Sequence, residues 1–335
     1  MYDMKLWIRD VIASPFRTAM PVMTHPGIDF TGKKVIDVVT NGTSQYEAIK
    51  AVNENFPSAA ATAVMDLTVE AEAFGAEVVF SEHEVPSISG TLLSGHDSVE
   101  SLNIPDMNQG RLQEYLLANK LSANNLNKPY FAGCIGPFSL AGRLYGMTEI
   151  MTSCYIEPET IHLLLEKCTD FLITWCKALK EQGTQGVLMA EPAAGLLSGD
   201  ICQEFSSDYI KKIVEAVQDD NFILILHNCG NTGQCTESML TTGAAGYHFG
   251  NAIDMVMALD QCPENVLVMG NIDPVSCFRM GTVESMTEVT KSLLTRTSKY
   301  RNFIISSGCD TPPGTPIENI KAFYSALDDF NNSFK

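Results

Sequence analysis

Four side chains carry the chemistry this sequence offers most clearly. His227 and Cys229 stand two apart in HNCG, at the end of the apolar run FILIL. Residues i and i+2 of a strand project to the same side, so an imidazole nitrogen and a thiol sulfur can reach one point. Cys309 closes another such run in FIISSGCDTPPGTP, and Glu191 follows GVLMA. Two thiolates, an imidazole and a carboxylate form a tetrahedral donor set suited to zinc. An isolated H-x-C is more often a core histidine beside a packing cysteine. On spacing alone that reading and a metal site both stand. Placement favours the metal: all four residues come directly after apolar runs, each at a turn rich in Gly or Pro.

Such residues need strands to bring them together. Short β-branched or apolar runs recur at 20–23, 76–80, 130–135, 186–190, 222–227, 246–249, 266–270 and 303–307. They are near-continuous rather than alternating, the pattern of parallel strands covered on both faces. Eight is the number that closes a barrel. The expected fold is therefore α/β, a (β/α)8 TIM barrel, as a single domain over 1–335. In that fold all strand ends converge on one rim, so residues far apart in sequence become neighbours. Helices are expected at 158–180, where apolar residues from Ile161 to Leu179 recur at spacings of three and four, at 207–218, and from about Pro316. A short amphipathic helix is expected over about 1–14. The stretch 82–128, rich in Ser, Gly, Asn and Pro, reads as a long excursion over the barrel mouth, where such loops act as lids.

Further polar residues fall on the expected rim. His248 in GYHFG and Asp273 in GNIDP end the sixth and seventh runs, and with Glu191 they are the candidate catalytic or substrate-contacting groups. Arg143 and Tyr145, after GPFSLA, are candidates to touch the substrate or a cofactor tail, with rim packing as the plainer alternative. His25 and His83 read as turn or capping residues. Asp254 reads as an orienting group or a solvated helix residue.

Composition bounds the partners. The 335 residues carry a formal net charge of −18, which argues against nucleic acid and anionic membranes, since both need clustered Lys and Arg. No window approaches the length of a membrane span. The first residues, MYDMKLWIRDVIASPFR, have scattered charges and no apolar signal core. Ten cysteines are spread without the density of a secreted disulfide scaffold. The expected compartment is a reducing cytoplasm.

Five stretches carry a family resemblance: MDLTVEAEAFGAEVVFSE (65–82), CIGPFSLAGRLYG (134–146), ILILHNCG (223–230), VLVMGNIDP (266–274) and SSGCDTPPGTPIENI (306–320). They resemble the uroporphyrinogen decarboxylase superfamily, and within it the zinc-dependent methylcobalamin:thiol methyltransferases that act on coenzyme M and related thiols. That branch's H-x-C…C ligand pattern falls on His227, Cys229 and Cys309, and its acidic ligand on Glu191. The resemblance implies zinc, a small-molecule thiol as methyl acceptor, and methylcobalamin or another methylated corrinoid as donor. The corrinoid would be free or carried in trans by a partner protein, because no corrinoid-binding module is visible in the chain. It also leaves room for a homodimer. Glu191 would be the labile ligand, leaving as the thiol arrives. The decarboxylase branch carries an Arg-rich turn after its first strand, whereas MPVMTHPGIDF (20–30) has no Arg or Lys and the whole chain has seven Arg. A substrate of many carboxylates is poorly matched to such a site. Two alternatives stay open: a decarboxylase-like lyase acting on a smaller substrate, and a non-catalytic binder of tetrapyrroles or thiols.

Overall fold

The computed structural model describes residues 2–333; Met1, Phe334 and Lys335, which the expected domain includes at its ends, lie outside them. Nine strands form among the described residues: β1 (Ala61–Thr62), β2 (Glu77–Val79), β3 (Ser87–Ser89), β4 (Tyr130–Ile135), β5 (Gly186–Ala190), β6 (Ile223–Asn228), β7 (Gly246–Phe249), β8 (Leu267–Ile272) and β9 (Phe303–Ser307). Seven of them make one curled sheet in the order β1-β4-β5-β6-β7-β8-β9, with every neighbouring pair parallel. Parallel neighbours need a crossover between them. Helical segments supply it, among them Pro158–Glu181 before β5, Asp208–Val217 before β6 and Val283–Arg296 before β9. Ile317–Asn332 follows β9.

Strand parity divides the sheet into two faces. Val187, Met189, Leu224, Leu226, Tyr247, Phe249, Val268, Phe303 and Ile305 pack outward against the helices, where Leu164, Cys168, Phe171, Leu172 and Trp175 meet them. Each large apolar side chain buried this way contributes roughly 1.5–3 kcal/mol. The alternate residues Phe131, Leu188, Ile223, Ile225, Leu267, Met269 and Ile304 share a second cluster with Met20 and Val22. Trp7, Ile8, Val11 and Ile12 of the helix Met4–Ala13 pack against that inner cluster. Side chains two residues further along the same inner row point into the site described below.

Two expected strands behave differently. The run 76–80 does not join the main sheet. Its β2 pairs antiparallel with β3, and Val79 is 50% exposed. The second sheet position belongs instead to β1, in an alanine-rich stretch with low strand propensity. The run 20–23 forms no ladder strand: it makes one parallel bridge, Ala19 to Ile305, and turns at once into the helix Thr24–Thr31. Even so, Met20 N donates to Ile305 O (3.0 Å), and Ala59 N donates to Ala19 O (2.8 Å).

The excursion is more ordered than its composition suggests. Leu112–Asn125 is a helix, and so is Gly95–Ser101. Arg111 anchors its end. The guanidinium donates to Asp66 Oδ2 (2.6 Å), Glu72 Oε2 (2.6 Å), Thr68 Oγ1 (2.8 Å) and Val39 O (3.0 Å). Tyr115 donates its hydroxyl to the same Asp66 oxygen at 3.0 Å. No described helix is long and apolar enough to cross a membrane.

Candidate metal centre

The register of the central strands builds the site. Ala190 of β5 lies beside His227 of β6, and His227 lies beside His248 of β7. Partners in register point to the same face, so the two imidazoles share the inner side of the sheet. Cys229 comes one residue after β6 ends and Cys309 two residues after β9 ends. The loop bearing Cys229 lies so close to the next that a Cβ on Gly250 would sit 2.5 Å from the Cys229 Cα. Only glycine permits that approach.

One potential ligand atom from each of His227, Cys229 and Cys309 lies within 4.8 Å of the others. His227 is buried and both cysteines are half-buried. All three line a cavity of about 210 Å³, shared with Arg143, Asp310 and apolar residues such as Val85 and Pro86. A hydrogen bond with Cys309 lowers the Cys229 thiol to about 7 against the opposing effect of burial. The same bond, with burial, raises Cys309. Cys229 is therefore the more readily deprotonated of the two sulfurs. Soft sulfur donors and one imidazole at this separation fit zinc, and three protein ligands leave the fourth position open, as in catalytic rather than structural sites.

The remaining expected site residues separate. Glu191 is not in the donor group. Since Ala190 faces inward beside His227, Glu191 faces outward, where its carboxylate accepts from Phe138 N (2.7 Å), Ser139 N (3.0 Å) and Ser206 Oγ (3.0 Å). It caps the helix Pro137–Tyr145, whose first N–H groups have no partner within the helix. Burial raises its pKa against those hydrogen bonds. Asp273 also caps: its Oδ1 accepts from Val275 N (2.8 Å) and Ser276 N (2.9 Å), away from the cavity. Arg143 and Tyr145 are two apart on one helix and so face apart. Arg143 reaches the cavity, whereas the Tyr145 hydroxyl accepts from Gly95 N (3.3 Å) in the excursion. Arg143 has no hydrogen-bond or ion-pair partner among the described residues and feels Asp66 and Glu70 only at longer range. Asp254 caps Met255–Gln261 and pairs with Arg296.

His248 is wholly buried behind His227 and does not line the cavity. Its Nδ1 lies 2.8 Å from His227 Nδ1, and its Nε2 lies 2.8 Å from Ser306 Oγ. His227 Nδ1 is also 3.1 Å from the His248 carbonyl oxygen. Burial, then the neighbouring His227, hold His248 well below the ordinary imidazole pKa. Ser306 and Asp310 escaped the sequence reading. The only signal for them is proximity to Cys309 in SSGCD.

Known proteins resemble the chain in both sequence and fold. The sequence profile described as Uroporphyrinogen decarboxylase (URO-D) matches residues 8–330. Methylcobamide:CoM methyltransferase MtbA of Methanosarcina acetivorans is 30% identical over 261 residues, covering 76% of this chain and 75% of the relative. A uroporphyrinogen decarboxylase of Psychromonas ingrahamii is 27% identical over 279 residues, covering 80% and 78%. Among solved structures, a methyltransferase from Methanosarcina mazei superposes with a TM-score of 0.86 at 22% identity, covering 98% of both chains, a likeness of fold.

Proposed function

The chain belongs to the uroporphyrinogen decarboxylase family of enzymes, and from that premise we propose that it moves a methyl group from a methylated corrinoid to a thiol. The observation that carries the reading is the convergence of His227, Cys229 and Cys309 within 4.8 Å in the wall of a cavity. The 30% identical relative named as a methylcobamide:CoM methyltransferase supports it. These three residues would hold zinc. Zinc bound there would supply a Lewis acid that keeps an incoming thiol deprotonated at neutral pH.

The chain's own groups do the rest. Arg143, unpaired and in the same cavity, holds and orients an anionic part of a substrate. Val85 and Pro86, in the β2–β3 connection, cover the mouth as a lid and keep water out. In the transfer a C–S bond forms as the Co–C bond breaks. The electron pair stays on cobalt and the thiol proton leaves to solvent. The corrinoid comes free or on a partner protein, in the cytoplasm. The segment 18–22, bonded to β9 on one side and to the approach to β1 on the other, takes the eighth position of a closed barrel. Decarboxylation of a substrate bearing many carboxylates is disfavoured, because the segment 20–30 has no cationic side chain.

Metal analysis and turnover test the proposal. About one equivalent of zinc is expected in the wild type, absent from Cys229→Ala and retained in Glu191→Gln. Methylcobalamin and a panel of thiols should give demethylated cobalamin, read by its absorbance. A wild type that takes up no added zinc sinks the reading.

A further inference from the structure

We infer that His248 and Ser306 fix the tautomer of His227, so that Nε2 is the nitrogen it presents to the two sulfurs. A hydrogen-bond chain leads inward from the Met20 carbonyl through Ser306 and His248 to His227. Ser306 Oγ donates its single proton to the Met20 carbonyl oxygen at 2.8 Å. The same oxygen lies 2.8 Å from His248 Nε2. With its proton already used, Ser306 can only accept there, so His248 carries a proton on Nε2. His248 is fully buried, and its ring nitrogens meet only His227 and Ser306. A second proton would make it an unpaired buried cation, which is costly. Its Nδ1 is therefore a lone pair.

That lone pair lies 2.8 Å from His227 Nδ1. Two lone pairs facing each other at this distance repel, so the proton between them belongs to His227 Nδ1. It also faces the His248 carbonyl oxygen at 3.1 Å, a shared, three-centre arrangement. With Nδ1 protonated and engaged, His227 Nε2 holds the free lone pair. Every member of the chain but His227 lies off the cavity lining, so His248 and Ser306 are positioning residues. The value of this arrangement to a metal rests on the function proposed above; the tautomer itself does not.

Two measurements separate the two. Long-range proton–nitrogen NMR on protein labelled with nitrogen-15 histidine, without metal, reads the tautomer directly. His227 is expected as the Nδ1–H form, and finding it as Nε2–H overturns the inference whether or not zinc binds. Zinc affinity by chelator competition then compares His248→Asn with His248→Leu. Asn keeps an acceptor at the Nδ1 position while Leu keeps only bulk, so packing alone ranks Leu above Asn and the relay ranks Asn above Leu. The expected result is a loss of about 10–100-fold in His248→Leu and near recovery in His248→Asn. Where the wild type binds zinc, equal affinity of His248→Leu and the wild type overturns the inference. A wild type that shows the Nδ1–H form but ignores zinc upholds the tautomer and removes the methyl-transfer proposal instead.

Discussion

Two arginines near the mouth of the sheet are treated in opposite ways. Arg111 is tightly held: two carboxylates, a hydroxyl and a carbonyl take four of its five N–H groups. Arg143 reaches the cavity and has no hydrogen-bond or ion-pair partner among the described residues. Their acidities register the contrast. Burial lowers Arg143 and the distant carboxylates do not make up the difference. Arg111 suffers burial too, but Asp66, Tyr115 and Glu72 together more than offset it and the pKa is raised. The same division holds for other groups. Glu191 is fully bonded and caps a helix, while His227, Cys229 and Cys309 turn their ligand atoms toward one another in the cavity wall. Groups that hold the fold are closed off; groups that meet a guest are left open.

The sharpest way to break this comparison is Arg111→Met. It leaves the buried Asp66 and the half-buried Glu72 without their cation, and a loss of about 3–5 kcal/mol is expected from urea unfolding. A loss below about 1 kcal/mol would put Arg111 in the class of ordinary surface pairs. Glu70 lies between the two classes. One oxygen accepts from Ile135 N (3.1 Å), the other has no partner, and burial pushes its carboxyl up to about 7. A carboxyl raised in the folded state keeps a proton that the unfolded chain gives up. Its contribution is therefore whole below pH about 4.5 and declines as pH rises to about 7, by on the order of 3 kcal/mol. Glu70→Gln keeps the acceptor for Ile135 and should remove that decline. Parallel stability–pH curves for variant and wild type would show that Glu70 does not titrate in this window. The smallest effect belongs to Arg143→Met. Stability should change by no more than about 1 kcal/mol, while KM for an acid-bearing thiol rises about tenfold and KM for an uncharged thiol stays put. Equal KM changes for both thiols would remove Arg143 from substrate binding.

How far the sequence disclosed this depends on what each residue's neighbours decide. His227, Cys229 and Cys309 were legible because strand ends in a parallel sheet must share a rim, whatever the register. Glu191 was misread because register decides it. Ala190 pairs with His227, and a slip of one residue exchanges inside for outside. Tyr145 could have been set apart from Arg143 by spacing alone, once Pro137 marks a helix start and two residues fall on different faces. The strand β1 was hidden because Ala61 and Thr62 carry little strand signal, whereas AEVVF carries the signal and sits in a hairpin. The helix Leu112–Asn125 was masked by its three asparagines, each of which bonds back to the carbonyl four residues earlier.

The hydrogen bond from Ser306 to the Met20 carbonyl joins residues 286 apart in the chain, and it stands at the far end of the relay behind His227. Contacts of such separation close last when a protein folds. A half-folded chain offers an ion only the adjacent His227 and Cys229, without the third donor or an imidazole held in one orientation. Zinc held as proposed above would thus be captured after the architecture has formed rather than nucleating it. Stopped-flow kinetics should show zinc slowing unfolding while leaving the refolding rate unchanged.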